Sequence, residues 1–305
     1  MSSGFALTPG RPGSSLRAGQ LAAIALLLAL AVVAWVVTDL RMAGMDAGPG
    51  TDPGAFGFYI STWVVMMAAM MFPSIAPMVV MFRRLARRQG GSGLFVGGYL
   101  LAWSAAGLLG YGILKLGRAL DGGFFAWDRA GRWTAAAILL GAAAYEFTPL
   151  KNVCLTRCRS PLAFLMGSWR EGRLGALLMG AEHGGWCLGC CWALMAGLFA
   201  LGAMSLTWML VIGALIAAEK LLPWRRTSVV GVAAMLAALA VGVAAAPKSV
   251  PALTVPGSPA AMKAMKAMTG GSARMGTSPR MGTRPRMGRS PRMDSPSSDG
   301  MQPMR

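Results

Sequence analysis

Histidine is nearly absent: His183 is the only one in 305 residues. A multi-histidine metal centre and a bis-histidine haem are therefore excluded within one chain. Charge is scarce as well. Charged residues make up 13% of the sequence, against roughly 25% in an average soluble domain, too few to cover a water-facing surface. No phosphate-binding glycine loop, Ser-His-Asp arrangement or haem attachment motif is found, and no ATP-binding or soluble redox domain. Any transport would have to be passive, ion-coupled or driven by ligand exchange.

What is present is apolar and blocked into runs, with 55% hydrophobic residues. Crossing the hydrocarbon core takes roughly 20 apolar residues. Runs of that order cover 21–37, 59–82, 94–117, 133–149, 174–202, 205–222 and 228–246. The first follows Arg11 and Arg17, exceeds the apolar core of a signal peptide and is followed by Thr38, Asp39 and Arg41, so it reads as an uncleaved span. The last, Val229–Ala246, is the weakest because it is rich in Ala and Gly. The expected fold is all-α: a polytopic transmembrane bundle of six or seven spans over 21–246. A segment 1–20 precedes it and a low-complexity, basic, Met-rich tail covers 247–305.

Charge asymmetry predicts orientation. Arg83, Arg84, Arg87 and Arg88 follow span two; Lys151, Arg157, Arg159, Arg170 and Arg173 follow span four; Lys220, Arg225 and Arg226 follow span six. The alternate loops hold Arg41, Arg118, Arg129 and Arg132, diluted by Asp39, Asp46, Asp52, Asp121 and Asp128. The rich face, with the N-terminus, is expected in the cytoplasm of a bacterial inner membrane. The partner implied is the lipid bilayer and not nucleic acid, although the formal net charge is +18. Ten of the basic residues lie in the tail, against Asp294 and Asp299. Seven spans would place this tail outside and six would keep it inside. Its repeat of Arg-Met-Gly, at Arg274, Arg280 and Arg286, is spaced by Pro, Ser and Gly, a composition expected to be disordered. Nine of the 24 methionines are here; the tail reads as a solvated, lipid-attracted segment or as a collector of soft metal ions.

The chemistry concentrates in sulfur. The five cysteines form two close groups, unlike the dispersed framework of a secreted disulfide scaffold. The first is Cys187-Leu188-Gly189-Cys190-Cys191, preceded by Glu182 and His183. At about 100° per residue, Met179, His183, Cys187, Cys190 and Cys191 fall within an arc of about 120°. One helical face could thus present thiols, an imidazole and a thioether, soft donors for copper(I), with zinc as the alternative. Gly184, Gly185 and Gly189 could instead unwind this helix into an ion site, or simply allow close packing. The second group, Cys154 and Cys158, follows Pro149 and Lys151 and sits among Arg157 and Arg159. Its C-x₃-C spacing puts both thiols one turn apart if the segment is helical. The third feature is the stripe Met66/Met70 and Met67/Met71 above Pro73 and Pro77, expected to kink the span. It reads as adaptable packing or, beside thiols, as a soft-metal relay. Glu219-Lys220 ends span six as a snorkelling interfacial pair or a cation-attracting group.

These segments together resemble a bacterial family described as predicted metal-binding integral membrane proteins, the domain of unknown function 2182 family. The matching residues are Trp63, Met66-Met67, Met70-Met71, Pro73 and Pro77; Tyr145, Pro149, Lys151, Cys154-Leu155, Cys158-Arg159 and Pro161; and His183-Gly184, Cys187-Leu188-Gly189-Cys190-Cys191-Trp192, Met195 and Glu219-Lys220. The likeness covers about 58–246, outside the tail.

The leading expectation is a soft-metal membrane protein that binds copper(I) for transport, export or delivery to a metalloprotein client, or in exchange with a metallochaperone. Cys187, Cys190 and Cys191 would form the centre with His183 as ligand or proton-linked partner. Met66, Met67, Met70 and Met71 would relay the ion, and Cys154/Cys158 would serve the cytoplasmic end. Two other readings are a thiol-disulfide oxidoreductase using Cys187/Cys190 and a structural subunit whose cysteines only pack.

Overall fold

The computed structural model describes residues 12–46, 48–49, 54–86, 91–120 and 127–276. Arg11, Arg87, Arg88, Asp52, Asp121 and the tail after Gly276, with its repeats from Arg280 onward, lie outside the described residues. Ten α-helices follow one another among the described residues: α1 (Pro12–Met42), α2 (Phe56–Leu85), α3 (Ser92–Leu120), α4 (Arg132–Tyr145), α5 (Pro149–Arg159), α6 (Pro161–Ser168), α7 (Gly172–Leu201), α8 (Leu206–Leu221), α9 (Arg225–Ala245) and α10 (Pro259–Gly276). Among the described residues there is no strand. The protein is an all-α helical bundle.

Each of the seven apolar runs is a helix. Five of them are long and apolar enough to cross a membrane: α1 from Ala18, α2, α3, α7 and α9. The other two, α4 and α8, have 14 and 16 residues and fall short of that length. The run expected to end at Pro149 stops at Tyr145, and the chain turns before Pro149 starts a new helix. There the Thr148 hydroxyl accepts from the Lys151 amide at 3.3 Å, and proline occupies the first helical position, where its missing N–H costs nothing. Pro161 likewise opens α6, there without a side-chain cap. The stretch between α4 and α7 is thus two short helices, and C-x₃-C lies on the first.

Burial sorts the long helices into two layers. In α2 and α7, 61% of the apolar window is buried, against 28% in α1, α3 and α9. The outer helices turn Leu26, Val32, Leu109, Ile113 and Val241 outward. A water-soluble monomer rarely carries apolar surface on this scale.

Glycine sets the closest contact. A Cβ on Gly180 would overlap the Phe95 carbonyl, one on Gly98 the Leu177 carbonyl, and one on Gly184 would stand 2.6 Å from the Ala102 Cβ. Removing those methyls lets α3 and α7 touch backbone to backbone, the small-residue packing typical of apolar helices. This decides between the readings of the α7 glycines. The helix is unbroken through Gly184, Gly185 and Gly189, and Gly184 serves packing. Likewise α2 continues through Pro73 and Pro77.

The connections meet at two ends. At one, the Thr254 hydroxyl donates to Asp46 Oδ2 at 2.9 Å, joining the segment after α9 to the α1–α2 connection. Gly202, held at φ +113° by the turn from α7 to α8, faces Asp46 and Gly48 there. The opposite end carries Arg83 and Arg84, α5, α6 and the last turn of α8.

The tail departs from the expected disorder over 259–276, where α10 forms. Ala, Met and Lys there are good helix formers, and no proline follows Pro259 until Pro279.

Candidate metal centre

Three thiols of α7 converge. The sulfurs of Cys187, Cys190 and Cys191 all lie within 4.8 Å of one another, and all three residues are buried. Cys190 and Cys191 approach to 3.4 Å. The helical spacing read from the sequence accounts for this, because residues three and four apart share a face.

A fourth thiol arrives from another helix. Cys158 of α5 stands 3.7 Å from the Cys190 sulfur. Cys154, one turn earlier, lies over Gly189, where an added Cβ would be 2.6 Å from its sulfur. Gly189 therefore lets α5 close on α7 between the α7 cysteines. Tyr145 supports the same contact: its hydroxyl donates to the Gly189 carbonyl at 2.7 Å and its ring packs edge-on to Trp192. The two cysteine groups, 29 residues apart at their nearest ends (158 to 187), are one cluster in space.

Two polar groups that the sequence did not single out for this site touch the cluster. The Lys220 ammonium donates to Cys187 Sγ at 2.8 Å. The Tyr99 hydroxyl lies 3.0 Å from the same sulfur. Lys220 had a signal, a charge at the end of an apolar run, but its expected partner was Glu219 or the interface. Tyr99 had none. The cluster thus combines soft sulfur donors with one cation placed to balance the charge of a thiolate.

Glu219 turns elsewhere. Lys151 Nζ donates to both Glu219 carboxylate oxygens at 2.9 Å and also to Glu146 Oε2. All three residues are buried. Arg159 extends this set, donating through Nη1 to the Glu219 carbonyl at 2.8 Å and through Nη2 to the Leu222 carbonyl. Burial of Lys151 works against its charge, but the Glu219 and Glu146 carboxylates outweigh it and its pKa is raised. These bonds clamp α5 to the last turn of α8, and so hold Cys154 and Cys158 against α7. The Glu219-Lys220 pair is therefore split, one residue bracing α5 and the other facing the thiols.

The remaining candidates sit around this centre. His183, one turn before Cys187, is buried among Phe95, Tyr99 and Phe164, with ring centroids 5.1–6.1 Å away. Its Nδ1 has no hydrogen-bond partner, and it lies outside the close set of donor atoms. Glu182 points away, to the Ser168 hydroxyl at 2.7 Å and Arg170 at 3.2 Å. Met66, Met67, Met70 and Met71 are all buried in the core, and Met70 lies over Gly213 of α8, where an added Cβ would stand 3.6 Å from its side chain. Met179 accepts from the Arg170 amide at 3.4 Å.

The donor chemistry fits a soft monovalent ion: the close set is all thiol and contains no carboxylate. Fold and site define a helical-bundle protein with a buried cluster of thiols whose donor set could hold a soft metal ion. Residues 60–243 match the family model described as PpoB2, copper chaperone, and the chain belongs to that family. No curated protein and no solved structure shows a significant match.

Proposed function

We propose that this protein is an integral membrane copper(I) chaperone that holds the ion on Cys158, Cys187, Cys190 and Cys191 and passes it to a client by thiolate exchange. The observation that carries the reading is the meeting of Cys158 from α5 with the α7 thiols, 3.7 Å from Cys190. Idle packing cysteines have no reason to converge from two helices beside an ammonium. Two thiolates on copper(I) leave one negative charge, which Lys220 balances beside Cys187. Exchange moves the ion between thiolates with no change of oxidation state, so the chain needs neither nucleotide nor electron carrier. Cys154, over Gly189, is an auxiliary donor one turn along α5 from Cys158. His183 supports the Cys187 side of the pocket through its ring contact with Tyr99.

The outward apolar faces of α1, α3 and α9 are lipid-facing in this reading, with α4 and α8 completing seven crossings. The end bearing Arg83, Arg84 and α5 faces the cytoplasm, and ions load there. The domain limits 21–246 for the membrane part and 247–305 for the tail follow from the same assignment.

The test is elemental analysis of protein purified from copper-supplemented cells. Wild type retains copper, and Cys187→Ser/Cys190→Ser loses it. Copper at background in well-folded wild type overturns the proposal. The thiol-disulfide reading, expected of Cys187/Cys190, would also have the Cys158–Cys190 approach to draw on, and thiol trapping separates it from the copper reading. A redox pair changes labelling with oxidant, a copper site with a copper(I) chelator.

A further inference from the structure

A cavity of about 710 Å³ opens at the end of the bundle away from α5 and the thiol cluster. Its lining includes three methionines from three separate segments: Met42 at the end of α1, Met66 of α2 and Met204 between α7 and α8. Trp63, Phe199 and Trp127 supply aromatic wall. Two further lining residues, Tyr59 and Thr62, are each 6% exposed, and their hydroxyls have no hydrogen-bond partner. Unpartnered buried hydroxyls in a space of this size call for a hydrated or ligand-bearing interior.

Depth connects this cavity to the thiols. Trp63 of α2 stacks on Phe199 of α7 with centroids 5.9 Å apart, fixing the two antiparallel helices at one level. From there Met70 is seven residues along α2, about 10 Å deeper. Cys191 is eight residues back along α7, about 12 Å in the same direction. The Met66/Met70 stripe therefore begins in the cavity wall and reaches the depth of the cysteine cluster.

We infer that the cavity is a second soft-metal station, in which the thioethers of Met42, Met66 and Met204 take copper(I) at the end of the bundle opposite the thiols. Thioethers are neutral and bind copper(I) more weakly and more exchangeably than thiolates, which suits a station that releases the ion. The two hydroxyls and the water they hold accompany it, since an ion alone does not fill the space. This rests on the copper reading above and adds to it where the ion leaves.

The experiment uses the full chain carrying Cys154→Ser, Cys158→Ser, Cys187→Ser, Cys190→Ser and Cys191→Ser, so that the thiol site is silent, with methionine ε-methyl groups labelled for NMR and silver(I) as the probe. Single Met42→Leu, Met66→Leu and Met204→Leu variants, close to isosteric, assign the three signals. All three are expected to move together at substoichiometric silver(I), and Met66→Leu is expected to abolish the movement of the other two. Signals of Met42, Met66 and Met204 that stay fixed while tail methionines shift would overturn the inference. Failure of the copper reading shows differently, as wild-type protein without copper in the elemental analysis.

Discussion

Lys220 is the residue whose role is most open to a direct test. Its ammonium lies 2.8 Å from Cys187 Sγ, and at the proposed copper(I) site it would balance thiolate charge otherwise left uncompensated in an apolar interior. Lys220→Met is expected to weaken copper retention about 10–100-fold, the usual cost of losing a group that supports a ligand from behind. Lys220→Arg should recover part of it. A competition titration with a copper(I) chelator measures both, and equal retention in Lys220→Met and wild type would remove Lys220 from the site. At this scale the sequence was partly readable. Cys187, Cys190 and Cys191 share a face because helical periodicity requires it, and that was visible in their spacing. The Lys220 and Tyr99 contacts depend on α8 and α3 packing beside α7, which no local spacing encodes. His183 looked like a ligand for the same reason that the cysteines did, yet its ring packs among Phe95, Tyr99 and Phe164.

Among the elements, α5 decides whether the thiols form one cluster or two. Its position depends on Lys151 between Glu146 and Glu219, and on Gly189 beneath Cys154. Removing the lysine leaves two buried carboxylates without their cation, a change that costs about 3–5 kcal/mol in comparable buried pairs. Lys151→Met should therefore lower the thermal midpoint sharply, and Glu146→Gln/Lys151→Met/Glu219→Gln should recover much of the loss. Size-exclusion thermostability in detergent reads both, and a smaller loss in Lys151→Met than in the triple variant would contradict the clamp. The pH dependence has a definite sign. Because the folded Lys151 pKa is raised, its contribution is complete below the ordinary lysine range and is lost only as pH rises through the higher folded value. Gly189→Val acts on the same contact from the other side. It should push Cys154 and α5 outward and lower copper retention while leaving the glycine contact between α3 and α7 intact. Apolar run length made α1, α2, α3, α7 and α9 legible from sequence. The short helices α5 and α6 were not, because their signals are caps and prolines in a stretch otherwise rich in charge.

For the whole molecule, the course of the chain bears on which side the basic tail occupies. In the proposed orientation, loop charge places the N-terminus with Arg83 and Arg84 in the cytoplasm, and ten basic residues in the tail would pull toward the same side. The structure ties the segment after α9 to the other end, through Thr254 on Asp46 and the Gly202 turn. Satisfying the tail's charge would require α9 to leave the bundle, exposing Val232, Leu236, Ala240 and Val243, which are all buried. Burying such side chains stabilises the packed arrangement by about 1.5–3 kcal/mol for each large one, whereas a basic residue near an anionic membrane surface gains about 1 kcal/mol. Charges that far from a span also orient weakly, since the rule acts within about 15–20 residues of a span end, and only Lys248 and Lys263 fall that close to Ala245. Packing is therefore expected to win, with the tail emerging opposite the loops proposed to be cytoplasmic. Alkaline phosphatase fused after Ser258 should be active and a fluorescent protein at the same point dark, with the reverse pattern for fusions after Leu85. Fluorescence from the Ser258 fusion would mean that α9 does not cross, and would detach the thioether cavity from the side on which copper(I) is released.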